Sequence, residues 1–340
     1  MKKDIHSPKE KQAMFRKGVL IVLAIALVFV AVGVASQVVD RKTIAREEEE
    51  TTQWPQDMVE INGIKCTPKK NIKSYLIMGL DSRGEAEATE EYDGTGQVDT
   101  LELVVVDYTA NTYTRLPINR DTMTEVQSLD TDGTYLATTK MQLSLAHACG
   151  DGMEISCENT VDAVSNLLYG QTIDGYASLN MDAIEVLNHL AGGVTVTIED
   201  DFSKADPTLV QGETVTLTDE QAMTYVRGRM DVGDGTNEGR MRRQTQFLSA
   251  LKPILMEKCQ ADSSFALEIY DSLIPYMVTD QSRNDFIKLT AALIESEEQE
   301  RLHIEGTNAV GDTGFNEFTV DEDSLADVVI QLFYDKVEDR

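Results

Sequence analysis

Arginine is scarce in this chain and unevenly placed. Of its 14 arginines, Arg227, Arg229, Arg240, Arg242 and Arg243 fall within 17 residues. The whole chain carries 30 Lys+Arg against 59 Asp+Glu, a net charge of −29, so a local crowd of guanidinium groups needs a local reason. Each guanidinium is a planar fork of donors that matches the oxygens of a phosphate. Arg227 and Arg229 stand two apart just past a helix signal and project the same way if the backbone there is extended. On the helix that follows, Arg240, Arg243 and Gln244 share a face beside the apolar stripe. Two such pairs converging suit a phosphate or pyrophosphate; the alternative is a surface ion-pair network with neighbouring acids. Arg242 lies about 200° around that helix from Arg240, at 100° per residue, and belongs to the outer surface.

The carboxylates offer a second half of such a site. Asp81 follows one buried apolar run and Asp99 precedes another. Acids at neighbouring strand ends suit Mg²⁺ or Mn²⁺, hard ions that take oxygen ligands and usually phosphate as well. In so acidic a chain, two aspartates alone carry little weight. Arg120-Asp121 follows a third strand, where a strand end can aim side chains into a cleft; a turn-stabilising aspartate beside a solvated arginine is the plainer reading. His147 and His189 show no site pattern. The chain has no Gly-rich phosphate loop, HExxH or GxSxG, which removes support for P-loop enzymes, zincins and α/β-hydrolases.

The elements that must position these groups are legible. Tyr75–Leu80 is an apolar run of strand length that empties into Asp81-Ser82-Arg83-Gly84 and an acidic, glycine-bearing loop up to Gly96. Leu101–Val106 reads as a second buried strand and Thr112–Ile118 as a third, joined through Ala110-Asn111 as an antiparallel hairpin. Val161, Val164, Leu167 and Leu168 share a helical face closed by Gly170. Ile184, Leu187 and Leu190 share another, closed by Gly192-Gly193 and followed by a strand over Val194–Ile198. Thr218-Asp219-Glu220-Gln221 has the form of a capping box opening a helix toward Tyr225. A longer helix starts near Gly239, with Met241, Leu248, Leu251 and Leu255 as its buried stripe and Pro253 as its kink or end. The last 80 residues read as peripheral helices with a strand near Glu317–Val320. The pattern predicts one α/β (α+β) domain with a central mixed sheet covered by helices.

With 340 residues, 41% hydrophobic and 26% charged, the composition is globular, and its acidity argues against nucleic acid as a partner. Gly18–Ala35 is an uncharged apolar run of 18 residues, about 27 Å as a helix and close to the thickness of a bilayer core. Residues 1–17 hold six basic groups against two acidic ones, which predicts a cytoplasmic basic tail, an anchor over 18–35 and an exported remainder at the cell membrane. A cleaved signal peptide is the alternative, given Gly33-Val34-Ala35. Residues 36–70 read as a stalk, 71–260 as the main domain and 261–340 as a helical extension on it. Cys66, Cys149, Cys157 and Cys259 then lie outside the membrane; Cys149 and Cys157 either bridge a short loop or stand, like the others, as small buried residues.

The strings LIMGLDSR, VDTLELVVVD, LPINRDT, LNHLAGGVTV, LTDEQAMTYVRGR and GRMRRQ occur in this order over roughly Asn71–Leu251. Together they resemble the LytR–CpsA–Psr family of cell-envelope phosphotransferases. The resemblance implies transfer of an anionic glycopolymer, of teichoic acid or capsular type, from undecaprenyl pyrophosphate to peptidoglycan, with Mg²⁺ or Mn²⁺. It implies Asp81 and Asp99 as metal ligands and Arg120, Arg227, Arg229 and Arg240 as the catalytic grip on the pyrophosphate. Arg83, Asp121, Arg243 and Gln244 would contact substrate, and an apolar pocket for the polyprenyl tail would lie between sheet and helices. Three positions depart from the family pattern: Gln97 and Asn237 stand where an arginine and an aspartate are common, and either Lys140 or Gln142 takes the place of a lysine. A non-catalytic polyprenyl-phosphate binder or regulator, and a polyprenyl-pyrophosphate hydrolase, are the rival readings.

Overall fold

The computed structural model describes residues 58–89, 96–228, 230–235, 237–262, 264–311 and 314–337. The tail and anchor expected over 1–35 lie outside these residues. In chain order the strands are β1 (Val59–Ile61), β2 (Ile64–Pro68), β3 (Ile72–Leu80), β4 (Val98–Asp107), β5 (Thr112–Ile118), β6 (Met123–Leu129), β7 (Tyr135–Gln142), β8 (Gly175–Leu179), β9 (Thr195–Thr197), β10 (Thr214–Thr216), β11 (Met277–Thr279), β12 (Glu297–Glu298), β13 (Gly306–Val310), β14 (Asn316–Val320) and β15 (Tyr334–Lys336). The helices are α1 (Glu154–Leu167), α2 (Ala183–Ala191), α3 (Asp219–Arg227), α4 (Asn237–Ala261), α5 (Phe265–Leu273), α6 (Arg283–Glu295) and α7 (Glu322–Phe333).

Six strands form the central sheet in the order β11-β8-β3-β4-β5-β12. β3 runs antiparallel to β4 and parallel to β8, so the sheet is mixed. The expected hairpin between β4 and β5 is present, with Asn111 in the left-handed region at φ 53°. β3 is buried from Ser74 to Leu80, as a strand covered on both faces must be. Tyr75 and Ile77 enter a core with Leu187 of α2, Leu251 and Leu255 of α4 and Phe286 of α6. Leu76 and Met78 enter the opposite core with Val164 of α1 and Val329 of α7. The result is a sheet between two helical layers.

Local signals hold where they were strongest. Thr218 and Gln221 form the capping box that opens α3, and α2 stops at Gly192, left-handed at φ 82°, where a side chain would be strained. Two expectations need correction and one is narrowed. Part of the stretch read as stalk, Val59–Pro68, forms the β1–β2 hairpin. The C-terminal region is no peripheral layer: β11 and β12 close the two edges of the central sheet, and β15 pairs with β2. Of the two roles expected for Pro253, kink or end, the second is excluded: α4 runs on to Ala261, and Pro253 and Ser249, whose carbonyl loses its donor, both lie on the exposed face where water can serve.

One charge sits inside the sheet. Glu102 of β4 is 0% exposed and accepts from Arg301 at 2.7 Å, with Arg115 of β5 at 3.7 Å. Burial pushes its carboxyl up, and the two arginines oppose that rise. The cysteines are thiols in the structure. Cys157, on the inner side of α1, lies 3.6 Å from Nε2 of His147, and burial raises its pKa.

Candidate active site

Asp81 is the first residue beyond β3. Asp99 owes its position to an irregularity in β4: Gly79 pairs with Thr100 but Leu80 pairs with Val98, which leaves Asp99 as the extra, unpaired residue. Such a bulge re-aims a side chain at the end of a ladder. Both aspartates line one narrow cleft with a cavity volume of about 20 Å³, whose other walls are Gly79, Leu80, Leu179, Asn180, Met181, Ala183, Ile184 and Leu187. The walls are therefore the ends of β3 and β8 and the apolar face of α2: an oily slot with two carboxylates at its mouth.

Two arginines close on those carboxylates. Arg120, just past β5, donates through Nη1 to Asp99 and through Nη2 to the side-chain oxygen of Gln97, the latter at 2.8 Å. Gln97 thus supplies an acceptor that pins the Arg120 fork. Burial lowers the pKa of Arg120, the Asp121 and Asp81 carboxylates oppose the fall, and the charge of nearby Arg240 on α4 deepens it. Arg227, the last residue of α3, places Nε 3.8 Å from Asp81. Asp121 has its carboxyl raised by burial against the pull of Arg120 and of Gln142, which donates to it at 3.1 Å. Arg229 lies outside the described residues.

The remaining substrate contacts expected from sequence are placed differently. Arg83 is drawn onto α2, with Nε 3.1 Å from both Asp182 oxygens and Nη2 3.7 Å from Glu185. It ties the loop after β3 to the helix behind the cleft. Arg243 and Gln244 are 1% and 2% exposed; they belong to the buried stripe of α4 and not to its flank. The Arg243 guanidinium goes to the carbonyls of Tyr225 and Gly228 and to Asp200, and the Gln244 amide to the carbonyl of Val226 at 3.2 Å. Arg242 is exposed and paired with Glu199 and Asp200, on the outer side as expected. Lys140 is exposed on β7, and Gln142 is the residue that reaches Asp121. Asp182 and Asp200, which hold Arg83 and Arg243, gave no sequence signal; each lies dozens of residues from its partner.

His147 fastens the strand that carries Asp99. It is buried, and its Nδ1 meets the Gly96 carbonyl at 2.9 Å. Burial lowers its pKa to about 4 from an ordinary 6.5, only partly opposed by the Gly96 bond and by Asp151. Between those values the unfolded chain binds the proton and the folded chain does not, so stability falls as pH drops from 6.5 toward 4. At about 1.4 kcal/mol per pKa unit the loss reaches about 3 kcal/mol by pH 4. Urea melts at pH 7, 5.5 and 4 should show this extra loss in the wild-type chain and not in His147→Gln. Equal slopes would remove His147 as the cause.

Comparison with known proteins adds the following. The LytR_cpsA_psr family model matches residues 28–333. A Halalkalibacterium halodurans protein named polyisoprenyl-teichoic acid–peptidoglycan teichoic acid transferase TagU is 33% identical over 178 residues, 52% of this chain and 51% of that one. A Bacillus licheniformis protein of the same name is 26% identical over 266 residues, 76% of each chain. The Streptococcus mutans biofilm regulatory protein A is 30% identical over 190 residues, 54% of this chain and 44% of that one. The chain thus spans about half the length of two of these three relatives. Among solved structures, B. subtilis TagV superposes with a TM-score of 0.52 at 23% identity, covering 78% of this chain and 96% of that one. The Streptococcus agalactiae protein gbs0355 gives 0.56 at 21%, covering 77% and 87%. These two likenesses concern the fold.

Proposed function

The chain belongs to the LytR–CpsA–Psr family, and from that premise we propose that it is a membrane-anchored phosphotransferase, moving an anionic glycopolymer from polyprenyl pyrophosphate to peptidoglycan. The observation that carries this reading is the meeting of Asp81, Asp99, Arg120 and Arg227 at the mouth of an apolar cleft. The relatives named as teichoic acid transferases support the substrate class. An oily slot suits a polyprenyl tail, and guanidinium groups at its rim suit the phosphates that follow the tail. Arg120 and Arg227 would bind and orient the pyrophosphate, with Arg240 behind them, so that the acceptor hydroxyl meets phosphorus in line.

The donor set fits Mg²⁺ or Mn²⁺. Asp81 and Asp99 present carboxylate oxygens on one cleft, and these ions take one or two protein carboxylates with phosphate and water as their other ligands. Asp81 and Asp99 would hold the ion, which when bound neutralises charge that builds on the phosphate oxygens.

The deciding assay incubates the full-length chain in detergent with a lipid-linked glycopolymer, peptidoglycan and Mg²⁺. Polymer covalently joined to peptidoglycan supports the proposal. Released phosphate without a joined product makes the chain a hydrolase, and unchanged lipid makes it a binder or regulator. Location enters the same proposal: the apolar run Gly18–Ala35 behind a basic tail supports a domain outside the cell membrane. Protease added to intact protoplasts should remove the domain and leave a small N-terminal fragment. Survival of the domain until the membrane is opened would reverse the orientation.

A further inference from the structure

The end of α3 is the wrong end of a helix for an anion. Its last carbonyls lack intrahelical donors and carry about half a negative charge between them, whereas phosphates are bound at helix N-termini. Yet Arg227, the final residue of α3, is the arginine that reaches Asp81 at the cleft.

Four carbonyls at this end are engaged. That of Thr224 accepts from the Gly228 backbone at 2.9 Å. That of Tyr225 accepts from Nε of Arg243 at 3.0 Å, that of Gly228 accepts from Nη2 of the same guanidinium, and that of Val226 accepts from the Gln244 amide at 3.2 Å. The third arm of Arg243 goes to Asp200, which is shared with Arg242, and its plane lies 5.4 Å from the centre of the Phe202 ring. The turn itself is tight: a Cβ on Gly228 would stand 2.8 Å from the Thr224 carbonyl and 2.7 Å from a Val232 methyl.

We propose that Arg243 and Gln244 are positioning residues: a cap supplied by α4 to the C-terminus of α3, which cancels the negative end of that helix and aims Arg227 at an anionic ligand. The inference rests on the pyrophosphate reading given above. The donors of both residues go to the end of α3 and to Asp200. Arg243 brings a guanidinium, its charge shared with Asp200, onto the helix end and satisfies two carbonyls at once, which the single ammonium of a lysine cannot do in the same geometry. Gln244 closes the carbonyl between them. Two polar side chains inside the stripe of α4 thereby have a use that burial alone would not give them.

The test uses the full-length chain in detergent and two probes that differ only in their head, geranylgeranyl pyrophosphate and geranylgeraniol, with binding measured by calorimetry. The wild-type chain should prefer the pyrophosphate; equal affinity for both would sink the pyrophosphate reading itself. Arg243→Lys should lose roughly 10- to 100-fold in affinity for the pyrophosphate, the scale of lost hydrogen bonds to charged groups, with the alcohol nearly unaffected. Gln244→Met, which keeps length and packing, should shift the same preference by a smaller factor. Should a variant lose both probes equally, or neither, while the wild-type preference stands, the cap proposal fails. If Arg243→Lys does not fold, Gln244→Met decides alone.

Discussion

Asp99→Asn in the full-length chain should lower the turnover of the proposed glycopolymer transfer by roughly 10²- to 10³-fold, the usual scale for removing one group that stabilises developing charge. It does so without weakening lipid-pyrophosphate binding, and the direction of that second effect comes from geometry. Asp99 is the carboxylate that holds the Arg120 fork. Neutralising it releases that guanidinium for phosphate, so affinity stays constant or rises while kcat falls, and the response to Mg²⁺ or Mn²⁺ flattens. The check is kcat and KM across a metal titration, with a melting curve as fold control. A raised KM at unchanged kcat, or an unaltered metal titration, would remove Asp99 from the proposed metal site.

Arg120→Ala should be the second large loss, and of the opposite kind. Arg120 bridges Gln97 and Asp99 and lies close to Asp81, Asp121 and Arg240. Its removal takes a charge-assisted contact from both bound substrate and transition state, so KM rises and kcat falls together; kcat/KM should drop by roughly 10²- to 10³-fold. Lysine at this position keeps the charge and loses the fork, so rescue is partial. The double variant with Asp99→Asn should lose less than the two single losses combined, because the residues act on each other. Strict additivity would show that the Arg120–Asp99 pair is not a working unit.

The core of the sheet could be read from sequence because its strands announce themselves locally. β3, β4 and β5 are apolar or alternating runs joined by recognisable turns, and the capping box of α3 is written in four consecutive residues. β8 was not legible: Gly-Tyr-Ala-Ser-Leu is short and weakly apolar, and it becomes a central strand only through parallel pairing with β3 about 100 residues earlier. Glu102 was passed over inside an apolar run because its partner Arg301 lies 199 residues away. The bulge that turns Asp99 outward is a matter of register, and a single strand does not state its register. The same holds for the arginines. Type and clustering pointed to the segment that sets Arg227 beside Asp81, whereas the acids that hold Arg83 and Arg243, Asp182 and Asp200, belong to other elements and left no local sign.

The pairing of β2 with β15 has a consequence for how the domain opens. Cys66 faces Lys336 in that register, and the Val337 amide donates to the Lys65 carbonyl at 2.9 Å. The two described extremities of the domain are thus stitched to each other by main-chain hydrogen bonds. Amide protons at both extremities should therefore exchange with solvent as one cooperative unit, at a common rate set by the breaking of that seam.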